Sequence, residues 1–462
     1  MDRKRQDRRI TAEKKYIICD CPVLHLNEVE KCRRINADYT IEKLRELVSD
    51  PVTNNHVARI SRLLSDYLLE IGNNGYPVKH LPAVMKVLEF LAWKIKEVND
   101  YRVHLNRMLQ LCSQPPLLKQ TSECLVSSVV MEHYFTLLGH LLTILPDEED
   151  VQRIHQALDC LLIKRTKLTN VAAVKLDFCR QTMENSRLPI IIVELLKATM
   201  PKMYPKILEL AYMLASISNK CCYRMLEAGI LNTLFTRMDL PYATQLRCTR
   251  PPDLPLEGEE YPWDTMLLIM KLSWCLMGSV LSPKMPSKHL KDLPSPKQCA
   301  MWSLRYSFKR QILRGQYCAV NLRIRNDIAA LILAGIVALP SWDLVSSGIA
   351  EDIVNLLSAI ESGTTKIWTE NVKFSDNYED LFFKRTLLII IAHLADIDIY
   401  VFVMKKAMIM PIILRIIKFC MNDKRDKGYS PSLILLEHAM YILSLLAPRI
   451  EVEFVKRRGT FT

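Results

Sequence analysis

Three cysteines and one histidine close to the N-terminus are the residues best suited to metal chemistry. They are Cys19, Cys21, His25 and Cys32. Thiolate and imidazole groups are ligands that zinc prefers, so these side chains could form a four-coordinate site. However, the spacing C-x-C-x3-H-x6-C matches no usual zinc module, and no second ligand pair follows it. We therefore favour ordinary reduced cysteines, predict no metal and no cofactor, and keep zinc as the alternative.

The segment Trp302–Arg325 combines basic and aromatic residues, which together can bind nucleic acid through charge and stacking. The aromatic residues are Trp302, Tyr306, Phe308 and Tyr317, and the basic residues include Arg305, Lys309, Arg310, Arg314, Arg323 and Arg325. The basic residues do not follow one stripe at helical spacing. We therefore interpret the segment as core aromatic residues beside a solvated basic surface, and we predict no nucleic-acid partner.

No motif of a common enzyme class is present in the sequence. The spacings G-x-x-x-x-G-K, G-x-G-x-x-G, G-x-S-x-G and H-E-x-x-H, which serve phosphate binding, nucleophilic attack and zinc hydrolysis, do not occur. The adjacent Cys221 and Cys222 fit a helix core better than a redox pair. His393 and His438 lie in apolar runs, where a satisfied core histidine is the favoured interpretation. We predict no enzymatic activity and no small-molecule substrate.

The composition is that of a globular chain that is too long for one compact domain. The chain has 462 residues, of which 50% are hydrophobic and 24% charged, and only 12 are glycine. This length favours several domains or a repeat array, and the scarcity of glycine disfavours phosphate-binding α/β folds. The formal net charge of +12 favours acidic partners.

The cysteine usage and the hydropathy predict a cytoplasmic protein. The 14 cysteines do not follow a disulfide framework, and Met1–Lys15 is too charged to be a signal peptide. The most apolar stretch, Leu387–Met404, contains His393, Asp396 and Asp398. Ionisable groups in its middle indicate a buried pair of helices, so we predict no membrane insertion.

Apolar residues recur three and four positions apart through most of the chain, which predicts amphipathic helices. Any functional residues must therefore be positioned by helices. The first example is Val57 to Gly72, where a glycine follows the last apolar residue. Further helices are predicted at Ile41–Val48, Ala83–Val98, Val103–Cys112, Leu125–Leu145, Val151–Ile163 and Trp263–Val280. No alternating strand pattern persists, so we predict an all-α fold.

A short turn of small residues before an apolar helix recurs along the chain. Copies with this pattern occur at Leu226–Leu231, Val345–Ile349 and Met404–Ile409, and a variant without glycine occurs at Ser186–Ile190. Leu188 and Ile230 lie 42 residues apart, within the 40–47 residues of armadillo and HEAT units. In such a unit the turn needs a residue with positive φ. We therefore predict an armadillo/HEAT-like helical solenoid with proline-rich surface loops.

The predicted organisation has five parts. Residues 1–50 form a basic, mostly flexible arm with one short helix, and residues 51–250 form armadillo-like repeats. Residues 251–300 are proline-rich loops around one repeat helix, residues 301–455 continue the same solenoid, and residues 456–462 are a short basic tail.

Several segments, in order, resemble the family of cilia- and flagella-associated protein 69. They are Tyr67–Cys112, Met225–Leu234, Leu313–Gly315, Leu322–Ile328, Lys373–Asp380 and Leu443–Pro448. The resemblance runs from about Arg62 to Phe454, while members of the family continue well beyond the counterpart of Pro448. It implies an armadillo-type protein of the axoneme, associated with the central microtubule pair and needed for sperm motility.

The resemblance also indicates where partners would bind. The candidate partner-binding residues are Lys373, Asn377, Tyr378, Glu379, Asp380, Arg323 and Arg325. The expected partners are other axonemal proteins, and the basic arm Met1–Lys15 could contact microtubules. The expected location is the cytoplasm of a cilium or of the sperm flagellum.

A transport adaptor of the armadillo type is the alternative function. Such adaptors hold basic peptides with the pattern W-x-x-x-N, which follows none of the tryptophans of this chain. A chain of net charge +12 is also poorly suited to basic cargo. We therefore favour the axonemal scaffold.

Overall fold

The computed structural model of the protein is helical throughout the part of the chain that it describes. The described residues are 36–72, 75–114, 127–145, 147–163, 176–200, 202–238, 263–282, 293–313, 318–339, 344–362, 377–422 and 431–450. Within these ranges there are 19 α-helices and no β-strand. The prediction of an all-α fold is confirmed.

The chain divides into two compact units, and unit 1 comprises residues 1–186. Its described helices are α1 (Ala37–Ser49), α2 (Val57–Ile71), α3 (Leu81–Lys94), α4 (Tyr101–Cys112), α5 (Ser128–Ile144), α6 (Glu148–Leu162) and α7 (Leu176–Asn185). The helices α1, α3, α5 and α7 contact one another in that order, and α2, α4 and α6 do the same. Unit 1 is therefore built from two layers of helices.

Unit 2 comprises residues 187–462. Its described helices are α8 (Leu188–Ala198), α9 (Tyr204–Ile217), α10 (Asn219–Glu227), α11 (Ile230–Met238), α12 (Trp263–Leu281), α13 (Gln298–Leu313), α14 (Ala319–Ala338), α15 (Ile349–Ser362), α16 (Tyr378–Ala395), α17 (Asp398–Lys406), α18 (Ile409–Asn422) and α19 (Pro431–Leu446).

Unit 2 also has two layers. In layer A, the helices α9, α12, α14, α16 and α19 contact one another in order. Layer B contains α8, α11, α13, α15 and α18, and each of these packs against the layer A helix that follows it in sequence. The short helices α10 and α17 connect the layers. Stacked helix pairs of this kind, together with the short connecting helices, are the architecture of an armadillo-type solenoid.

Short polar side chains and prolines determine where several helices begin. Ser127 and Ser218 accept hydrogen bonds from backbone N–H groups in the first turns of α5 and α10. Pro82, Pro189 and Pro205 lie in the first turns of α3, α8 and α9, where a backbone N–H has no partner within the helix. The sequence therefore marks the starts of these helices locally.

The repeat turns have the backbone conformation that the sequence predicted. Gly229 and Gly348 have φ values of 79° and 75°, and each precedes a layer B helix. Met408 occupies the same place before α18 with a φ of 56°. A non-glycine residue there costs about 1–2 kcal/mol of backbone strain. The sequence predicted a repeat turn at Met404–Ile409, but without a glycine it did not show which residue takes the positive φ.

The apolar stretch Leu387–Met404 is a pair of helices, as predicted. Helix α16 ends at Ala395 and α17 begins at Asp398. A different helix, α12, contains a window, Asp264–Leu281, that is long and apolar enough to span a membrane. More than half of that window is buried, and α12 packs between α9 and α14 in layer A, as the core helix of a folded array does.

A buried histidine joins α1 to the start of α3 in unit 1. His80 Nε2 lies 2.7 Å from Asp38 Oδ1, and its Nδ1 lies 3.1 Å from the Tyr67 hydroxyl. Burial lowers the pKa of His80 more than Asp38 raises it, so the ring is neutral. A hydrogen bond from Lys79 lowers the pKa of Asp38. A neutral ring then donates from Nε2 to Asp38 and accepts the Tyr67 O–H at Nδ1.

Candidate partner-binding face

Each inner helix of layer A has one side that remains accessible. Such a helix has a layer A neighbour on both sides and layer B behind it, so only the remaining side can be exposed. On α16 the exposed residues are Tyr378, Phe382, Arg385 and His393. With 3.6 residues per turn, they lie within an arc of about 80°. The exposed residues of the layer A helices therefore mark one face of unit 2.

We call this surface the layer A face. Its exposed residues are Glu209 and Ser216 on α9; Asp264, Lys271, Trp274, Gly278 and Leu281 on α12; Ala319, Arg323 and Val337 on α14; Tyr378, Phe382, Arg385 and His393 on α16; and Glu437 and Tyr441 on α19. Large apolar and aromatic side chains alternate with charged ones. This mixture is typical of surfaces that bind other proteins.

Tyr378 and Phe382 form the most prominent feature of the layer A face. The Tyr378 side chain is 76% exposed, and its ring stacks on Phe382 with 6.4 Å between centroids and 27° between planes. The residues are four apart, so both rings project from neighbouring turns on one side of α16. Exposed rings held together in this way provide a rigid apolar anchor for a partner.

A buried ion pair fixes the start of α16 on α14. Arg325 Nη1 donates to Asp380 Oδ1 at 2.9 Å, and Arg325 Nη2 donates to the Glu379 carbonyl at 3.2 Å. Arg325 is 3% exposed and Asp380 is fully buried. The guanidinium also lies 4.3 Å from the centroid of the Phe383 ring. Because the charges are enclosed within the unit, their role is to position the first turn of α16.

Two asparagines complete this junction. Asn326 Nδ2 donates to the Glu379 carbonyl at 3.0 Å and to Glu379 Oε2 at 2.6 Å. Asn377 caps α16 by accepting the Asp380 N–H at 2.8 Å. Together these bonds hold the turn that carries Tyr378.

The sequence-predicted binding residues thus fall into two groups. Tyr378 and Arg323 are exposed on the layer A face, whereas Arg325 and Asp380 are buried and bonded to each other. The remaining candidates are Asn377 and Glu379, which support the junction, and Lys373, which lies outside the described residues. The structure brings six of the seven together, and partner contact by this group remains a prediction.

The charged residues of the layer A face are of mixed sign. Arg323 Nε lies 4.0 Å from Asp327 Oδ2, and burial raises the pKa of Asp327. Arg385 and Lys271 are exposed on neighbouring helices. The exposed acidic and basic residues of this face therefore balance each other, and no continuous basic stripe is present among its described residues.

A second buried ion pair corrects the interpretation of Trp302–Arg325. Arg305 Nη2 donates to Asp352 Oδ1 at 3.0 Å, and its Nε also bonds to that carboxylate, which joins α13 to α15. Lys309 Nζ lies 3.3 Å from Asp352 Oδ2. Arg305 and Arg325 therefore do not belong to a solvated basic surface, as the sequence suggested. Their carboxylate partners lie 47 and 55 residues away, beyond the reach of local patterns.

Polar links between successive repeats recur through both units at similar sequence separations. Examples are Arg102 to Asp147 at 45 residues, Arg237 to the Leu196 carbonyl at 41, Arg305 to Asp352 at 47, and Arg449 to the Ala395 carbonyl at 54. These separations bracket the repeat length predicted from Leu188 and Ile230. We call them the inter-repeat links.

Sequence reasoning missed Trp274, Phe382 and Tyr441 as members of the layer A face. Each lies in a strongly apolar helix. Only its position on the side of the helix opposite the buried residues distinguishes it from a core residue. His393 was predicted to be a core histidine, but it lies on the exposed side of α16. The adjacent Cys221 and Cys222 are buried, as predicted.

No group of three potential metal ligands occurs among the described residues. The N-terminal cluster of Cys19, Cys21, His25 and Cys32 lies outside them.

Comparison with known proteins gives a family match over most of the chain. The sequence model described as "Cilia- and flagella-associated protein 69, ARM repeat" matches residues 39–249 and 266–462. That description names armadillo repeats and an association with cilia and flagella, and it names no enzyme.

Curated relatives agree with this match. The proteins named cilia- and flagella-associated protein 69 from Callithrix jacchus and Homo sapiens are each 21% identical to this chain, over 92% and 91% of its length. The chain spans 42% of each relative, which is less than half. A solved engineered protein aligns with 88% of this chain and 98% of its own, at 13% identity and a TM-score of 0.27, a likeness too low to support any inference.

Proposed function

The chain belongs to the armadillo-repeat family of cilia- and flagella-associated protein 69, and on that basis we propose that it is a binding scaffold of the axoneme. In this role the protein catalyses no reaction and holds other axonemal proteins in position. The single observation that carries the proposal is the layer A face, with its stacked and exposed Tyr378 and Phe382.

The layer A face supports binding by a physical argument. Exposed aromatic rings lose water contact when a partner covers them, and each ring buries a large apolar area. The buried Arg325–Asp380 pair holds the first turn of α16 in place, so little conformational entropy is lost when Tyr378 is covered. An amphipathic helix or an extended segment from a neighbouring protein would fit such a row of helices.

The proposed location is the central microtubule pair, with the sperm flagellum as the main site of action. The family match supports an association with cilia and flagella, and the finer location is our proposal. The net charge of +12 is compatible with acidic surfaces such as those of microtubules.

The test combines localisation with a variant of the layer A face. The chain is tagged at its own locus together with a proximity-labelling enzyme, and labelled flagellar proteins are compared between wild type and the double variant Tyr378→Ala, Phe382→Ala. The matched control is Tyr39→Ala, which removes an exposed ring from α1 in unit 1.

We expect labelling of central-pair proteins along the flagellum, a loss of at least several-fold in the double variant, and no change in the control. Sperm that lack the protein should swim poorly. Diffuse staining of the cell body, or equal labelling by all three proteins, would overturn the proposal.

A further inference from the structure

Ser295 lies in a short non-helical segment directly before α13. Residues 294–297 belong to no helix, and α13 follows them. Ser295 is exposed, whereas Leu293 is buried. The backbone N–H of Lys297 donates to Asn232 Oδ1 on α11. The segment is therefore held at both ends and presents Ser295 between them.

Two prolines restrict the backbone around Ser295. Pro294 and Pro296 enclose it in the sequence Leu293-Pro294-Ser295-Pro296-Lys297. A proline limits its own φ to about −65°, and steric clash keeps the residue before a proline out of the helical region. Leu293 and Ser295 each precede a proline, so the sequence itself favours an extended segment. An extended segment with an exposed side chain is a form that a modifying enzyme can bind.

The Ser295 hydroxyl is not used by the fold. It makes no hydrogen bond to any residue that the structure describes. Exposed serines within helices differ, because Ser216 and Ser444 donate to the carbonyls of Met213 and Tyr441 at 2.8 Å and 2.7 Å. The Ser295 oxygen is therefore available for reaction without the loss of a bond within the described fold.

The pair Ser295-Pro296 matches the substrates of one class of protein kinase. A proline has no backbone N–H, so a kinase that needs this donor from the residue after the serine rejects the pair, and proline-directed kinases accept it. Ser-Pro occurs three times in the chain, at 282, 295 and 430, and Thr-Pro does not occur. Of the three pairs, Ser295-Pro296 is the one in which the structure describes both residues.

A phosphate on Ser295 would have favourable charges beside it. Lys297, two residues further on, is exposed and makes no ion pair with any described residue. The N–H groups of residues 298–300 cannot bond within α13, and the Met301 N–H donates to the Lys297 carbonyl at 3.0 Å. Negative charge near such a helix start is stabilising.

We propose that Ser295 is a phosphorylation site of a proline-directed kinase, and that the phosphate stabilises the start of α13. In the transfer, the Ser295 oxygen bonds to the γ-phosphorus of ATP, the bond from that phosphorus to the bridging oxygen breaks, and ADP leaves. The serine proton passes to the catalytic base of the kinase. The proposal does not depend on the layer A face or on a ciliary location.

The charge of the phosphate accounts for its effect on α13. A phosphoserine carries a charge of about −1.5 to −2 at pH 7, together with three acceptor oxygens. The Lys297 ammonium and the N–H groups of residues 298–300 are donors for those oxygens. We therefore expect the first turn of α13 to open less often in the phosphorylated chain.

The test is incubation of the folded full chain with a purified proline-directed kinase and ATP, followed by mass spectrometry of its peptides. We expect phosphate at Ser295, and an initial rate at this site at least ten-fold lower in Pro296→Ala. The matched control is Pro286→Ala, which removes a proline from the same lysine-rich stretch and leaves Ser295-Pro296 intact. It should be modified like wild type, and circular dichroism checks that both variants are folded.

A synthetic peptide of residues 290–301 measures how accessible Ser295 is in the folded chain. We expect the kinase to modify the folded chain at a rate within ten-fold of the rate for the peptide. A folded chain that reacts more slowly than that would overturn the proposal. So would equal rates at Ser295 for the two proline variants.

Hydrogen exchange measures the effect of the phosphate on α13. The phosphorylated chain is compared with Ser295→Ala after the same treatment. Amides in the first turn of α13 should exchange at least three-fold more slowly in the phosphorylated chain, because the phosphate bonds to them. Unchanged or faster exchange would overturn the role proposed for the phosphate.

Discussion

Replacing Gly348 with alanine tests how one repeat turn and one buried ion pair depend on each other. Gly348 has a φ of 75°, and a Cβ atom there would lie 2.7 Å from Arg305 Nη1. Gly229 occupies the same turn of another repeat with a φ of 79°, but its Cβ would lie 3.6 Å from Asn232 Nδ2, an ordinary contact. The two glycines differ mainly in the guanidinium beside Gly348.

The expected magnitudes follow from this difference. Alanine in the left-handed region costs about 1–2 kcal/mol at either position. At Gly348 the new methyl group must also displace Arg305, which is held by Asp352 through two hydrogen bonds. Disrupting a buried pair costs about 3–5 kcal/mol. We therefore expect Gly348→Ala to lower the free energy of unfolding of unit 2 by about 4–7 kcal/mol, and Gly229→Ala by about 1–2 kcal/mol.

The assay is urea unfolding followed by circular dichroism, combined with hydrogen exchange of α13 and α15. Gly348→Ala should lose protection in both helices, because the Arg305–Asp352 link joins them. Gly229→Ala should leave that protection unchanged. Equal destabilisation by the two variants would mean that Arg305 moves aside without cost, and would refute the reasoning.

Three further predictions concern single contacts. Asp380→Ala should lower the free energy of unfolding by about 3–5 kcal/mol, because Arg325 stays buried without its carboxylate partner. The double variant Asp380→Leu, Arg325→Met should recover most of that loss in the same urea assay. Ser218→Ala removes the cap of α10 and should cost about 1 kcal/mol, measured by urea unfolding and refuted by an unchanged midpoint. Burial lowers the pKa of His80, so the unfolded chain binds a proton more readily, and unit 1 should lose stability as pH falls through about 6.5. In His80→Gln, the free energy of unfolding should depend less steeply on pH between pH 7 and pH 5. Asp38 stays ionised in this range because its pKa is lowered. Equal slopes for wild type and variant would contradict the prediction.

Local patterns in the sequence predicted the helices well. The apolar spacing of Val57 to Gly72 gave both ends of α2, since amphipathic periodicity and a terminal glycine are encoded within the segment itself. Gly229 and Gly348 were predicted to adopt positive φ for the same reason. The turn at Met404–Ile409 was predicted as well, but without a glycine the sequence did not show that Met408 adopts the positive φ, which the packing around it must support.

The candidate site was predictable only in part. Sequence reasoning selected a segment that reaches the layer A face, but it could not separate exposed Tyr378 from buried Asp380, because that distinction depends on Arg325 in another helix. Trp274 and Tyr441 were missed for a related reason. An apolar helix gives little sign of which side is covered until its neighbours are known.

The inter-repeat links have a mechanical consequence. Each one joins only adjacent repeats, as Arg237 does at the end of α8 and Arg449 at the end of α16. A force that stretches either unit is therefore carried by each contact between neighbouring repeats in turn. The loss of one link weakens only the contact between its two repeats and leaves the others intact. We therefore expect a unit under strain to yield first at its weakest junction while its other repeats stay folded.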